Sequence, residues 1–152
     1  MFLTEINLRQ GEADALIAMP KVRADDEERD FPLLQQSVIV PLLSEDRRET
    51  FMLDIHSGRI NLSKITFQNR GRQVVVLVRL DIAGPPHRNP DGEEISCPHL
   101  HVYREGFGDK WAETAPIDKF TALNDPWQTL QDFMQFCSIV TPPAFRKGLL
   151  HD

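Results

Sequence analysis

Residues 72–82 read RQVVVLVRLDI, the strongest strand signal in the chain and the stretch on which the fold class turns. β-branched and aliphatic side chains pack well on a pleated surface, and successive side chains of a strand point to opposite faces. A period of two puts Val74, Val76, Val78, Leu80 and Ile82 on one face and Val75, Leu77, Arg79 and Asp81 on the other. The uncharged face is the expected core side, as in an antiparallel sheet with one face buried.

Upstream, Asn69-Arg70-Gly71 has the composition of a hairpin turn and is preceded by RINLSKITFQ (59–68). Earlier still, TFMLDIH (50–56) alternates Phe51, Leu53 and Ile55 with Met52, Asp54 and His56, and SVIVPLL (37–43) alternates well enough for a further strand. Pro41 has no N–H to give, which predicts an edge position for that strand. Downstream, Asn89-Pro90-Asp91-Gly92 predicts a second turn, and the chain returns through Pro98 into HLHVYRE (99–105).

Helical patterns flank these strands. Ile6, Ala13, Leu16, Ile17 and Met19 predict a short N-terminal helix with Thr4 as cap and Pro20 as stop. The acidic run ADDEERD (24–30) that follows predicts a solvated loop. Near the other end, Asp125 can cap and Pro126 suits the first helical position. Trp127, Leu130, Phe133, Met134, Cys137 and Val140 recur at helical spacing before Pro142 and Pro143. The expected fold is one α+β domain over residues 1–152. It is a meander of about five antiparallel strands packed on one face by the N- and C-terminal helices.

Composition narrows the function. A net charge of −6 argues against indiscriminate nucleic-acid binding through bulk charge. Between Arg47 and Lys110, however, ten basic residues outnumber eight acidic ones, which leaves the middle of the chain mildly positive. No apolar run reaches the roughly 18 residues of a membrane span, and MFLTEINLRQ has no secretory pattern. The two cysteines, Cys97 and Cys137, form no Cys-x-x-Cys motif, which excludes a zinc finger and a thioredoxin-like site and suits a reducing, cytoplasmic compartment.

Alternation in HLHVYRE sends Leu100 and Val102 to the core and His99, His101, Tyr103 and Glu105 to the opposite face. A hairpin through the Asn89–Gly92 turn then brings Asp81 near His101 and Arg79 near Tyr103. Asp54, His56, Lys64, Thr66 and Arg70 of the preceding strands are candidates for the same face. Three readings fit this set. In the first, His99 and His101 ligate a transition metal such as zinc, completed by His87, Asp81, Asp91 or Glu105. In the second, no cofactor is needed: His99, His101, Tyr103 and Arg79 carry acid/base chemistry on a phosphodiester. His87, Arg88, Asp91, Arg104 and Arg70 then bind the substrate, with RNA or single-stranded DNA as partner. In the third, the face is a non-enzymatic surface for a partner protein, and its ion pairs are structural. Cys97 beside His99 also allows a nucleophilic thiol–imidazole pair, whereas Cys137 lies on the apolar stripe of its helix.

Two resemblances accompany these readings. HLHVYRE is similar to the H-x-H-x3-E core of the cupins' first metal motif, although the preceding glycine spacing is off by one and no second motif follows. The longer run VRLDIAGPPHRNPDGEEISCPHLHVYREGFGDKWA (78–112) resembles the central signature of an uncharacterised family of short bacterial and phage proteins. LDIHSGRI, ITFQNRGR and DFMQFCSI flank it in order, so the likeness runs from about Phe51 to Val140. It implies a cytoplasmic protein of bacterial, phage or mobile-element origin and supplies no catalytic residues.

Overall fold

The computed structural model describes residues 7–58 and 64–147. In chain order its elements are α1 (Gln10–Ala18), β1 (Lys21–Arg23), β2 (Glu28–Asp30), β3 (Ser37–Ser44), β4 (Thr50–Ser57), β5 (Ile65–Gly71) and β6 (Val75–Asp81). They continue with β7 (His87–Arg88), β8 (Glu94–Ile95), β9 (His99–Val102), β10 (Ala112–Thr114), α2 (Pro126–Phe136), β11 (Ile139–Thr141) and β12 (Ala144–Arg146). Eight strands form one sheet in the order β10-β9-β6-β5-β4-β3-β1-β11, antiparallel throughout except for the parallel pair β1–β11. Two small ladders, β7–β8 and β2–β12, stand apart from it.

The predicted meander is the middle of this sheet, β3-β4-β5-β6-β9. The count rises from five to eight because β1, β10 and β11 have three residues each, too few to carry an alternation. The acidic segment 24–30 is not all loop either. Its end pairs as β2 with β12, and Arg146 donates to Asp30 and Glu28.

Several local expectations are corrected. Pro41 lies inside the sheet, between β4 and β1. It is tolerated because β1 covers only Leu42–Ser44, and beyond that point Ala24 N–H donates to Pro41 O while nothing requires a proline N–H. The hairpin after β5 turns at residues 72–74, with Arg72 and Gln73 at positive φ, and not at Asn69–Gly71. Gly71 serves packing instead: a Cβ there would stand 3.0 Å from Leu77 Cδ1. Helix α1 starts at Gln10, where Glu12 accepts from Arg9 N–H, so Thr4 is not its cap. Thr4 and Ile6 lie outside the described residues. Helix α2 begins as expected, with Asp125 accepting from the Trp127 and Gln128 amides. It stops at Phe136, and Val140 belongs to β11.

The largest correction concerns β6. Between Asn69 and Arg70 the β5–β6 register shifts by one residue. Val78 and Leu80 face the core as predicted, but beyond the bulge Val75 and Leu77 are buried while Val74 is exposed. Beside Leu77, Tyr103 also turns inward. Its amide donates to Leu77 O, and its hydroxyl lies 2.8 Å from Leu8 O and 2.7 Å from Leu8 N.

Both helices pack on one face of the sheet. Ala13 and Leu16 of α1, and Leu130, Phe133 and Met134 of α2, join Leu53, Ile55, Phe67, Leu80 and Leu100 in the core. Phe67 packs between Phe31 and Phe133. Fully burying side chains of this size contributes about 1.5–3 kcal/mol each. Lys21 is buried in the same layer and donates to Ile17 O, Met19 O and Cys137 O. Among the described residues no helix is long and apolar enough to cross a membrane.

Candidate functional site

The polar face of the sheet is read across the strands. One row runs Asp54–Gln68–Arg79–His101, and the next runs His56–Thr66–Asp81–His99. The β6–β9 register is therefore two residues from the predicted one: Asp81 faces His99, and Arg79 faces His101. Between these strands the Asn89–Gly92 turn closes the β7–β8 hairpin, with Gly92 at φ 91. That hairpin folds back on β10. Asn89 Nδ2 donates to Ala112 O and Asn89 Oδ1 accepts from Ala112 N, while His87 Nε2 lies 2.7 Å from Lys110 O.

This docking packs three imidazoles together. Ring centroids of His87 and His101 are 4.6 Å apart, and those of His99 and His101 are 5.1 Å apart, both edge to face. His99 and His101 are as inaccessible as the core, at 3% and 0% exposure. A backbone carbonyl can only accept, so each ring nitrogen facing one carries a proton. By that rule His99 Nδ1 donates to Ile95 O at 3.1 Å and His101 Nδ1 to Asp109 O at 2.7 Å. The remaining nitrogens converge on one carboxylate oxygen. Asp81 Oδ2 lies 3.0 Å from His99 Nε2 and 3.3 Å from His101 Nε2, and its ligand atom and theirs fall within 4.8 Å of one another. Thr66 Oγ1 donates to the other oxygen, Asp81 Oδ1, at 3.1 Å.

Arg79 completes the cluster. Its Nη1 donates to Asp109 Oδ2 at 2.8 Å, its Nη2 to His101 Nε2 at 3.0 Å, and its Nε lies 3.4 Å from Asp81 Oδ2. Burial works to raise the Asp81 carboxyl, but His101, Arg79 and His99 together outweigh it and hold the group well below the usual carboxylate range. A cleft of about 420 Å³ opens over the cluster, lined by Arg79, Asp81, His87, Cys97, His99 and Thr66 among others. Cys97 Sγ lies 3.5 Å from His99 Nδ1, but burial and then Asp81 raise its thiol. It is thus a poor thiolate here.

Lone-pair donors of this kind suit a metal ion. Bonds of about 2.0–2.2 Å to one ion put its ligands roughly 3–4 Å apart, and metal-bound imidazoles commonly give their second N–H to a carbonyl. The first holds for Asp81 against each imidazole, and the second holds for both His99 and His101.

Other predicted site residues lie elsewhere. Tyr103 is a core residue. Glu105 Oε1 accepts from Gln10 N at the start of α1, so the cupin-like carboxylate does not reach the histidines. Arg88 pairs with Glu94, Asp91 accepts from Glu93 N within its turn, and Arg104 stacks over Trp111. Arg70 shares the polar face but forks around Asp54, at 2.6 and 2.8 Å. His87 lines the cleft without joining the three converging ligand atoms. Asp109 and Asn89 are essential to the geometry and were not among the sequence candidates. They sit in irregular segments, where no periodicity tells which way a side chain points.

Neither a curated protein nor a solved structure matches the chain, but a family model does. The match is to a family described as a family of unknown function, DUF6978, over residues 8–139. That span holds every residue of the cluster, its cleft and both helices, and the chain belongs to this family.

Proposed function

We propose that the protein is a metal-dependent hydrolytic enzyme in which Asp81, His99 and His101 hold one transition-metal ion at the floor of the cleft. The observation that carries the reading is the convergence of two imidazole Nε2 atoms on Asp81 Oδ2, with both Nδ1 atoms committed to main-chain carbonyls. Both imidazoles so held turn Nε2, the nitrogen that ligates a cation once its proton is released, toward a carboxylate. Three protein ligands leave coordination positions open for water and substrate, the pattern of catalytic rather than structural zinc. His87 suits the role of proton carrier at the cleft, since Lys110 O takes its Nε2 proton and leaves Nδ1 free to accept. The signature over residues 78–112 and the two unpaired cysteines support a bacterial or phage protein of the cytoplasm.

A second reading draws on Arg79. Its guanidinium already supplies a positive charge to His101 and Asp81, which supports metal-free acid/base chemistry at the same residues.

Metal analysis of untagged protein separates the two. The expected result is about one equivalent of zinc or another transition metal, lost in the His99→Ala, His101→Ala double variant. Folded wild-type protein that takes up no zinc, nickel or manganese on titration would leave the metal-free reading in its place.

A further inference from the structure

Arg79 is tied by three contacts, and two of them are to atoms of the metal cluster. His101 Nε2 and Asp81 Oδ2 are the partners of its Nη2 and Nε, while Nη1 alone reaches outside the cluster, to Asp109 Oδ2. An ion bound between Asp81, His99 and His101 uses the same His101 lone pair and the same carboxylate. A lone pair on His101 Nε2 cannot serve both a metal and an N–H donor, and two cations a few ångströms apart repel one another. Loading the centre therefore breaks the contact to His101 Nε2, loosens by repulsion the one to Asp81 Oδ2, and leaves Arg79 tethered at Asp109.

Released in this way, Arg79 can turn into the cleft. Its side chain lines the cleft, where the other lining residues include Thr66, Gly84, Pro86, His87 and Cys97, and Asp81 is the only carboxylate lining it among the described residues. A divalent ion changes the summed charge of Arg79, Asp81 and Asp109 from negative to positive. The freed Nε–H and Nη2–H form a planar fork whose spacing matches two oxygens of a phosphate.

We propose that metal loading at Asp81, His99 and His101 turns Arg79 from a plug into an anion clamp, so that ion and guanidinium together bind a phosphodiester. The inference rests on the metal reading and adds the substrate class. It makes anion affinity conditional on the metal: the two ligands are thermodynamically coupled through one side chain.

Calorimetric titration of the full chain tests it, with cobalt(II) as the metal and dimethyl phosphate as the anion. Cobalt-loaded protein is expected to bind dimethyl phosphate more tightly than metal-free protein by roughly tenfold or more, a coupling of ordinary size. Arg79→Gln and Arg79→Lys are expected to bind cobalt at least as tightly as wild type, because the competitor for His101 Nε2 is gone or weakened. Both are expected to lose most of the metal-dependent gain in anion binding. The lysine variant keeps a charge beside Asp109 and guards against a folding artefact. Stoichiometric cobalt binding with dimethyl phosphate affinity unchanged by metal, or with the Arg79 variants behaving as wild type, overturns the clamp and leaves the metal reading standing. Folded protein that binds no cobalt overturns both.

Discussion

Tyr103 closes a buried loop of bonds, since its hydroxyl donates to Leu8 O and accepts from Leu8 N. Removing that oxygen strands both groups of Leu8 in the core. Tyr103→Phe should therefore lower stability by about 2–3 kcal/mol in urea unfolding and leave cobalt affinity unchanged. Lys21 offers a second test at this scale. Burial lowers its ammonium from 10.5 to about 8, with Cys137 pulling weakly the other way, while burial pushes the Cys137 thiol up to about 12. Between about 8 and 10.5 the unfolded chain holds the lysine proton and the folded chain sheds it, so stability gains with rising pH across that window. Denaturant midpoints measured from pH 7.5 to 10 should show this gain in wild type relative to Lys21→Met. The variant should be less stable throughout, having left three carbonyls without their donor. Individual residues of the site were legible where a strand carried them: Arg79, Asp81, His99 and His101 do share a face. Tyr103 was not, because its inward turn comes from an irregularity one strand away.

At the scale of elements, that irregularity is the bulge in β6. Val74 to Leu77 are all aliphatic, so inserting one residue in the pairing leaves no mark on the hydrophobic pattern, and the parity of everything before Val78 is misread. The long strands β3, β4 and β5 were legible because seven or eight alternating residues average over such faults. Helix α2 was legible at its start, where Asp125 and Pro126 mark the cap. Asp125→Ala should cost about 1 kcal/mol, read from thermal unfolding, by freeing the Trp127 and Gln128 amides. Strand β9 differs from its neighbours in burying both faces, with Leu100 beneath and His101 above, each at 0% exposure. Leu100→Ala should cost about 2–4 kcal/mol, as other core truncations do. The burial of both histidines and their carbonyl bonds mean that His101→Ala also destabilises the metal-free protein.

Across the whole molecule, the cluster joins segments far apart in sequence: β6, the β7–β8 hairpin, β9 and the loop bearing Asp109. An ion that binds only the folded arrangement stabilises all of them at once. At a free metal concentration near 100 times its dissociation constant, cobalt should add about 2.7 kcal/mol to global stability. The unfolding midpoint in urea should rise for wild type and stay fixed for the His99→Ala, His101→Ala variant. The same long reach governs the sheet's far margin. β1 is flanked on its outer side by β11, where Lys21 pairs with Ile139, and β2 finds its partner in β12, where Glu28 pairs with Ala144. On a chain made from its N-terminus, β1 and β2 must wait for residues 139–146 to emerge before those ladders can form. Throughout that interval the outer edge of β1 offers unpaired amides and carbonyls to any neighbouring chain, and the nascent protein is at its most prone to cross-pairing with a second copy.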